Sequence, residues 1–73
     1  MNFILFRQIR LMLGLTQREF GEMLGISQAY VGLIETGHRI PTDRIIGRLR
    51  EEVDADLIDK VDELLNLKIT LGN

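Results

Sequence analysis

The chain has no cysteine and no tryptophan, and only one proline, one tyrosine and one histidine. Without cysteine, neither a disulfide nor a thiolate metal site can stabilise the fold, and nothing points to secretion. The lone histidine, His38, sits in a turn beside Gly37, with no second histidine or cysteine to complete a metal site. We therefore expect no metal, no cofactor and no enzyme: no nucleophile–base pair, phosphate-binding loop or carboxylate dyad stands out. Long apolar runs are also missing. The most apolar stretch, "MNFILFRQIRLML", is broken by Arg7 and Arg10, is too short to span a bilayer and lacks a signal peptide's small-residue cleavage site. A cytoplasmic protein is expected. What remains is ordinary for a globular chain: 45% apolar residues over a length of 73, enough for one small domain with a single modest core.

The formal net charge of −2 conceals an asymmetry. Residues 1–50 hold seven arginines against four acids, a balance of +3, whereas residues 51–73 hold two lysines against seven acids, a balance of −5. Nucleic-acid binders are usually basic overall, so any such role must rest on the first two thirds of the chain. The acid-rich "EEVDADLIDKVDE" lacks the turn glycine of a calcium loop, and an apolar pair interrupts the ligand spacing. It reads as a solvated helix face.

Periodicity and end signals divide the chain into five helices. The first runs from Phe3 to Leu13, with Ile9, Met12 and Leu13 at helical spacing and Gly14 suited to end it. Thr16 and Glu19 form a capping box, flanked by Leu15 and Phe20 at the positions of a hydrophobic staple, so the second helix spans about Gln17 to Leu24. Gly25 stops it. Ser27 caps a third helix ending near Thr36, with Ile26 and Val31 as its staple pair and Gly37 closing it. Thr42 caps a fourth, Asp43 to about Glu52, with the apolar face Ile45, Ile46 and Leu49. Asp54 caps a fifth, with the stripe Leu57, Ile58, Val61, Leu64 and Leu65 to about Asn66. Residues 67–73 form a tail, open between a frayed end and a short strand, because "LLNLKITLGN" alternates in its apolar pattern.

Two helices joined by a short glycine-containing turn make a helix-turn-helix, whose second helix can enter a DNA major groove. On the second helix Phe20 and Leu24 face inward, and Gly21 stands where the close approach of the third helix leaves little room. On the third, Val31 and Ile34 face the core, turning Gln28, Ala29, Gly32, Leu33 and Thr36 outward. Several features coincide: G-L-T-Q at 14–17, a small residue at 21, L-G-[apolar]-S at 24–27, an apolar pair ending in Glu35, and G-x-R-x-P at 37–41. Together they resemble the Cro/repressor-type (XRE-like) helix-turn-helix family, which includes the DNA-binding domains of phage repressors, over roughly residues 7–52.

The resemblance implies an all-α, compact, five-helix lambda-repressor-like fold. It implies double-stranded DNA as the partner, with the third helix reading bases from a homodimer. Gln17 would touch a phosphate at the start of the second helix, where free backbone N–H groups help. Gln28 would reach a base edge, since a carboxamide can bond adenine bidentately, and Ala29 and Leu33 would meet thymine methyls. Arg39 and Thr42 would contact the phosphate backbone. Arg10 and Glu35 would form a structural ion pair. Relatives often carry polar groups on the outer face of the third helix, whereas Ala29, Gly32 and Leu33 offer almost none here. That apolar face supports a second reading, a protein-interaction module or antitoxin-like protein with weak or no specific DNA binding.

The last section has more apolar residues than one small core consumes. Leu64, Leu65, Leu67, Ile69 and Leu71 are expected to form a dimer interface.

Overall fold

A computed structural model describes the backbone of residues 1–71 and the side chains of residues 1–67. Polar caps open the helices. Asn2 accepts from the Leu5 N–H at 2.7 Å and starts α1, Phe3–Met12. Thr16 and Glu19 exchange the two bonds of a capping box, 2.9 and 3.1 Å, and start α2, Gln17–Leu24. The Thr16 backbone N–H, and after it the Thr16 hydroxyl, hold the Glu19 carboxyl below its ordinary pKa, so the box stabilises the helix above the normal carboxylate range and loses that contribution as pH falls through the lowered value. Ser27 caps α3, Gln28–Glu35, and Thr42 caps α4, Asp43–Glu52, each accepting from the N–H three residues on. Asp54 accepts from Asp56 N–H at 2.8 Å and opens α5, Ala55–Leu71.

The helices end as firmly as they begin. Gly25 and Gly37 adopt φ of 74° and 82°, the left-handed region that costs other residues energy. Past Gly37 the chain folds back, with the His38 and Gly37 N–H groups donating to Leu33 and Ile34 carbonyls at 2.9 and 3.1 Å. The three-residue turn between α2 and α3 is closed by the Ile26 N–H on the Gly21 carbonyl at 2.9 Å.

α5 runs on to Leu71, past Asn66 where the helical stripe gives out. The alternation in "LLNLKITLGN" does not become a strand, because a lone strand has no ladder to join, whereas adding residues to an existing helix costs no new nucleus.

The core is a single cluster: Leu5, Phe6 and Ile9 of α1, Phe20 and Leu24 of α2, Val31 and Ile34 of α3, Ile45 and Leu49 of α4, Val53, and Ile58 and Val61 of α5. Phe6 and Phe20 meet at its centre with ring centroids 5.0 Å apart and planes tilted by 57°, a geometry worth about 0.5–1.5 kcal/mol beyond area burial. Leu15 and Ile26, the outer members of the two staples, pack partly buried against it. Met12 and Leu64 depart from the expected stripes, each being 60% exposed. Met12 closes the last turn of α1, and there the inward-facing sector runs out over a shallow groove shared with Val61, Leu64 and Leu65.

One ion pair crosses this packing. Glu35, at the end of α3, is buried, and Arg10 of α1 grips it with Nε and Nη2 at 2.6 and 3.0 Å. The remaining Arg10 nitrogen donates to the Leu15 carbonyl at 3.0 Å. The bond to Glu35 raises the Arg10 pKa further above its ordinary value and outweighs the opposing effect of burial. On the other side Arg48 of α4 donates to the Met23 carbonyl at 3.2 Å, satisfying a group that the end of α2 would leave bare.

Gly21 and Gly47 differ in what surrounds them. A Cβ on Gly21 would lie 2.6 Å from the Ile26 carbonyl oxygen and 3.3 Å from Ser27 backbone, whereas one on Gly47 meets nothing within 4 Å. The crowding comes from the turn itself rather than from the body of α3. Gly47→Ala should therefore gain about 1 kcal/mol of helix propensity. Gly21→Val should lose roughly 1–3 kcal/mol or more by overpacking. Thermal unfolding of the two variants checks both signs. Glu35→Ala leaves Arg10 buried without its partner and should cost about 3–5 kcal/mol in denaturant unfolding.

Candidate nucleic-acid interface

α3 is braced on two sides. α2 lies across it through the glycine-closed turn, and α1 is tied to its end through Arg10 and Glu35. Val31 and Ile34 are fully buried, which fixes the helix's rotation about its own axis. The opposite flank is left bare: Gln28, Ala29, Leu33 and Thr36 are exposed and Gly32 is half-buried.

The residues on this flank differ in what they still have to offer. Gln28 stands at the first position of α3, and its carboxamide has no hydrogen-bond partner among the described residues. Leu33 is 39% exposed, and Ala29 adds only a methyl group. The Thr36 hydroxyl is already used, lying 3.0 Å from the Gly32 carbonyl and 2.7 Å from His38 Nδ1.

The surrounding expected contacts are arranged unevenly. Arg39 lies in the exposed loop after α3, spending one N–H on the His38 carbonyl at 2.9 Å and pairing with no acid among the described residues. Thr42 is exposed, and its hydroxyl oxygen caps α4 while its own proton stays free to donate. Gln17 is not turned to solvent as a surface amide would be. Its Nε2 donates to Glu35 Oε1 at 3.3 Å, beside the Arg10 ion pair. Arg7 also approaches that carboxylate, at 4.0 Å, with its side chain half exposed. Neither link was visible in the spacing, because both depend on where the third helix ends in space.

The expected dimer residues divide three ways. Leu64 and Leu67 are exposed, at 60% and 52%, and Leu65 packs on the core. The side chains of Ile69 and Leu71 lie outside the described residues. The sequence reading missed the exposed apolar residues of α1: Ile4, Leu11 and Met12 are 45%, 44% and 60% exposed, and Met12 shares a groove with Leu64. A signal was there, since a helix reading "FILFRQIRLM" has apolar residues on nearly every side and so must bury more than one face or leave one for a partner. Ile40, beside Arg39, is the most exposed large apolar side chain among the described residues, at 83%.

Among the described residues no group of acids and histidines is placed to hold a metal ion, and no helix is long and apolar enough to cross a membrane. The open groove of about 450 Å³ between α2 and α4 is lined by Arg44, Arg48 and Glu51 with Leu24 and two glycines, and it holds no nucleophile with a base.

A family model described as helix-turn-helix, of the Cro/C1 type, matches residues 6–52, more than half of the chain. The match runs from Phe6 within α1 to the end of α4 and takes in both braces of α3. No curated protein and no solved structure matches the chain. By its motifs, its five-helix architecture and this match, the chain belongs to the Cro/C1-type helix-turn-helix family of DNA-binding regulatory domains.

Proposed function

We propose that this DNA-binding domain is a sequence-specific, cytoplasmic transcriptional regulator of repressor or Cro type, working by occupying a palindromic operator as a homodimer. The observation that carries the reading is the state of Gln28: an unpartnered carboxamide at the start of an α3 whose rotation is fixed by Val31, Ile34 and Glu35. Such a group costs nothing to expose to water and is ready to exchange that water for a base edge. Ala29 and Leu33 behind it supply apolar contact for thymine methyls. Arg39 and Thr42 supply backbone contacts, and at the start of α2 the N–H groups of Gln17 and Arg18, unsatisfied within the helix, suit a phosphate.

The dimer would use the band where α1 and α5 lie together. Met12 and Leu64 line one groove there, and Ile4, Leu11 and Leu67 are exposed on the same two helices, apolar surface that water disfavours and a second copy would cover. A two-fold axis there would set the two α3 helices about one turn of DNA, roughly 34 Å, apart. It would also keep the acids of α5 away from the phosphates.

A second reading has its own observation. Leu33 and the nearly bare Ile40 put two large apolar side chains near the reading flank, which suits a protein partner, as in an antitoxin-like module. Salt separates the two. Phosphate contacts release counterions, so DNA affinity should fall steeply with rising salt, by about 0.9 log units per decade for each phosphate neutralised. A protein contact through Leu33 and Ile40 would be nearly indifferent to salt.

Gln28→Ala should cost roughly 1–3 kcal/mol on the preferred site and relax one base position, while Arg39→Ala should weaken all sequences alike. Competition binding against a panel of single-base variants measures both. Uniform loss in the first variant, or an altered preference in the second, would reverse the assignments. Leu64→Glu should leave helicity unchanged and shift the protein from dimer to monomer in sedimentation at micromolar concentration. A parent chain that is monomeric with and without DNA would remove the dimer.

A further inference from the structure

Gly32 interrupts the exposed flank of α3 one turn after Gln28, at a place where any other residue would present a side chain. The gap is not empty. A Cβ built on Gly32 would lie 3.8 Å from Gln17 Nε2 and 4.0 Å from Gln17 Oε1, so the carboxamide of α2 rests over the bare backbone of α3. Its orientation is also set. Glu35 is buried and bound twice by Arg10, so its carboxylate cannot swing away. A carboxylate only accepts, which requires the amide nitrogen of Gln17 to face it at 3.3 Å and leaves the amide oxygen free. Among the described residues that oxygen has no hydrogen-bond partner.

We propose that Gly32 is a specificity-determining position, a notch that seats the Gln17 carboxamide on the reading flank as a second base reader beside Gln28. The proposal rests on the DNA-binding reading above and extends it. The unpartnered amide oxygen takes a hydrogen-bond donor. A phosphate offers none and could take only the second N–H of Nε2, whereas the major-groove edges of adenine and cytosine each present an exocyclic amine. The flank that sequence alone leaves with one polar reader thus carries two, the second borrowed from the neighbouring helix. A side chain of ordinary length at position 32 would displace it.

The test is a double-mutant cycle read as base preference. Affinities of the parent, Gln17→Met, Gly32→Met and the double variant are measured on the selected site and on its single-base variants, with thermal unfolding run alongside. Gln17→Met keeps the packing over Gly32 but removes the amide. It should lose discrimination roughly three- to tenfold at one base pair, as befits one hydrogen bond. Gly32→Met should lose the same discrimination at the same base pair, and the double variant should lose no more than either. If Gly32→Met fails to fold, Gln17→Met alone decides, with thermal unfolding reporting what the lost bond to Glu35 costs separately from the change in base preference. A uniform loss over all sequences in Gln17→Met would make Gln17 a backbone contact and overturn the proposal, as would losses that multiply in the double variant. Failure of the DNA reading itself shows earlier and separately, as a parent chain with no salt-dependent affinity for any duplex.

Discussion

A buried carboxylate is expensive in any domain and more so in one with a single small core, so the Glu35 side chain must be answered from several directions at once. Arg10 answers from α1 with two hydrogen bonds and Gln17 from α2 with one, while Glu35 itself belongs to α3. Three elements thereby share one charge. The buried Val31 and Ile34 already orient α3 about its axis, but packing is non-directional, and the ion pair adds a constraint that depends on direction. A bidentate guanidinium–carboxylate pair cannot be re-made in another register. The pair therefore contributes alignment more than net energy, and the direction in which Gln28 and Leu33 point follows from it.

The other constraint is the turn. Three residues are too few to let two helices find their own angle, and the Ile26 N–H bond to Gly21 carries the chain back so tightly that position 21 has no room for a Cβ unless the turn moves. The turn sets the angle between α2 and α3, and Glu35 sets the rotation of α3. With both fixed, the helix can present a narrow flank without help from its own short length, which in isolation would not hold a helix at all.

Much of this was legible in the sequence for a physical reason: ends of helices are written locally. Thr16 with Glu19, Ser27, Thr42, Asp54 and the glycines at 14, 25 and 37 act on backbone groups within a few residues, so spacing alone locates them. The pairing of Arg10 with Glu35 crosses 25 positions and was reached only through the resemblance. What spacing could not reach was the use of groups across helices: Gln17 on Glu35 and Gly32, Arg48 on the Met23 carbonyl, and the outward side of α1. Each depends on the angle between two elements, and nothing in a one-dimensional pattern encodes that angle. Residues 67–71 stayed open between a frayed end and a strand for the opposite reason, since their local alternation is real but has no sheet to serve.

An acidic chain in a family that meets DNA raises the question of how its charge is disposed. The acids concentrate on the end of α4 and on α5, where Asp56, Asp59 and Glu63 are exposed. α5 packs on α1, and α1 in turn packs on α3, so a helix stands between the acidic surface and the reading flank. A helix with its side chains is about 10 Å across, already longer than the Debye length of about 8 Å at physiological salt. Exposed acids at that distance are screened by the ions around them, whereas a phosphate bound at Arg39 or the start of α2, as proposed, would lie in contact. The local balance of the first fifty residues, not the total of −2, is what an approaching duplex would feel. The same geometry turns the acidic helix into a constraint on assembly: a second copy can meet the α1–α5 band only if its apolar residues cover one another while the carboxylates stay at the rim in water, because like charges buried face to face would cost more than the covered surface returns.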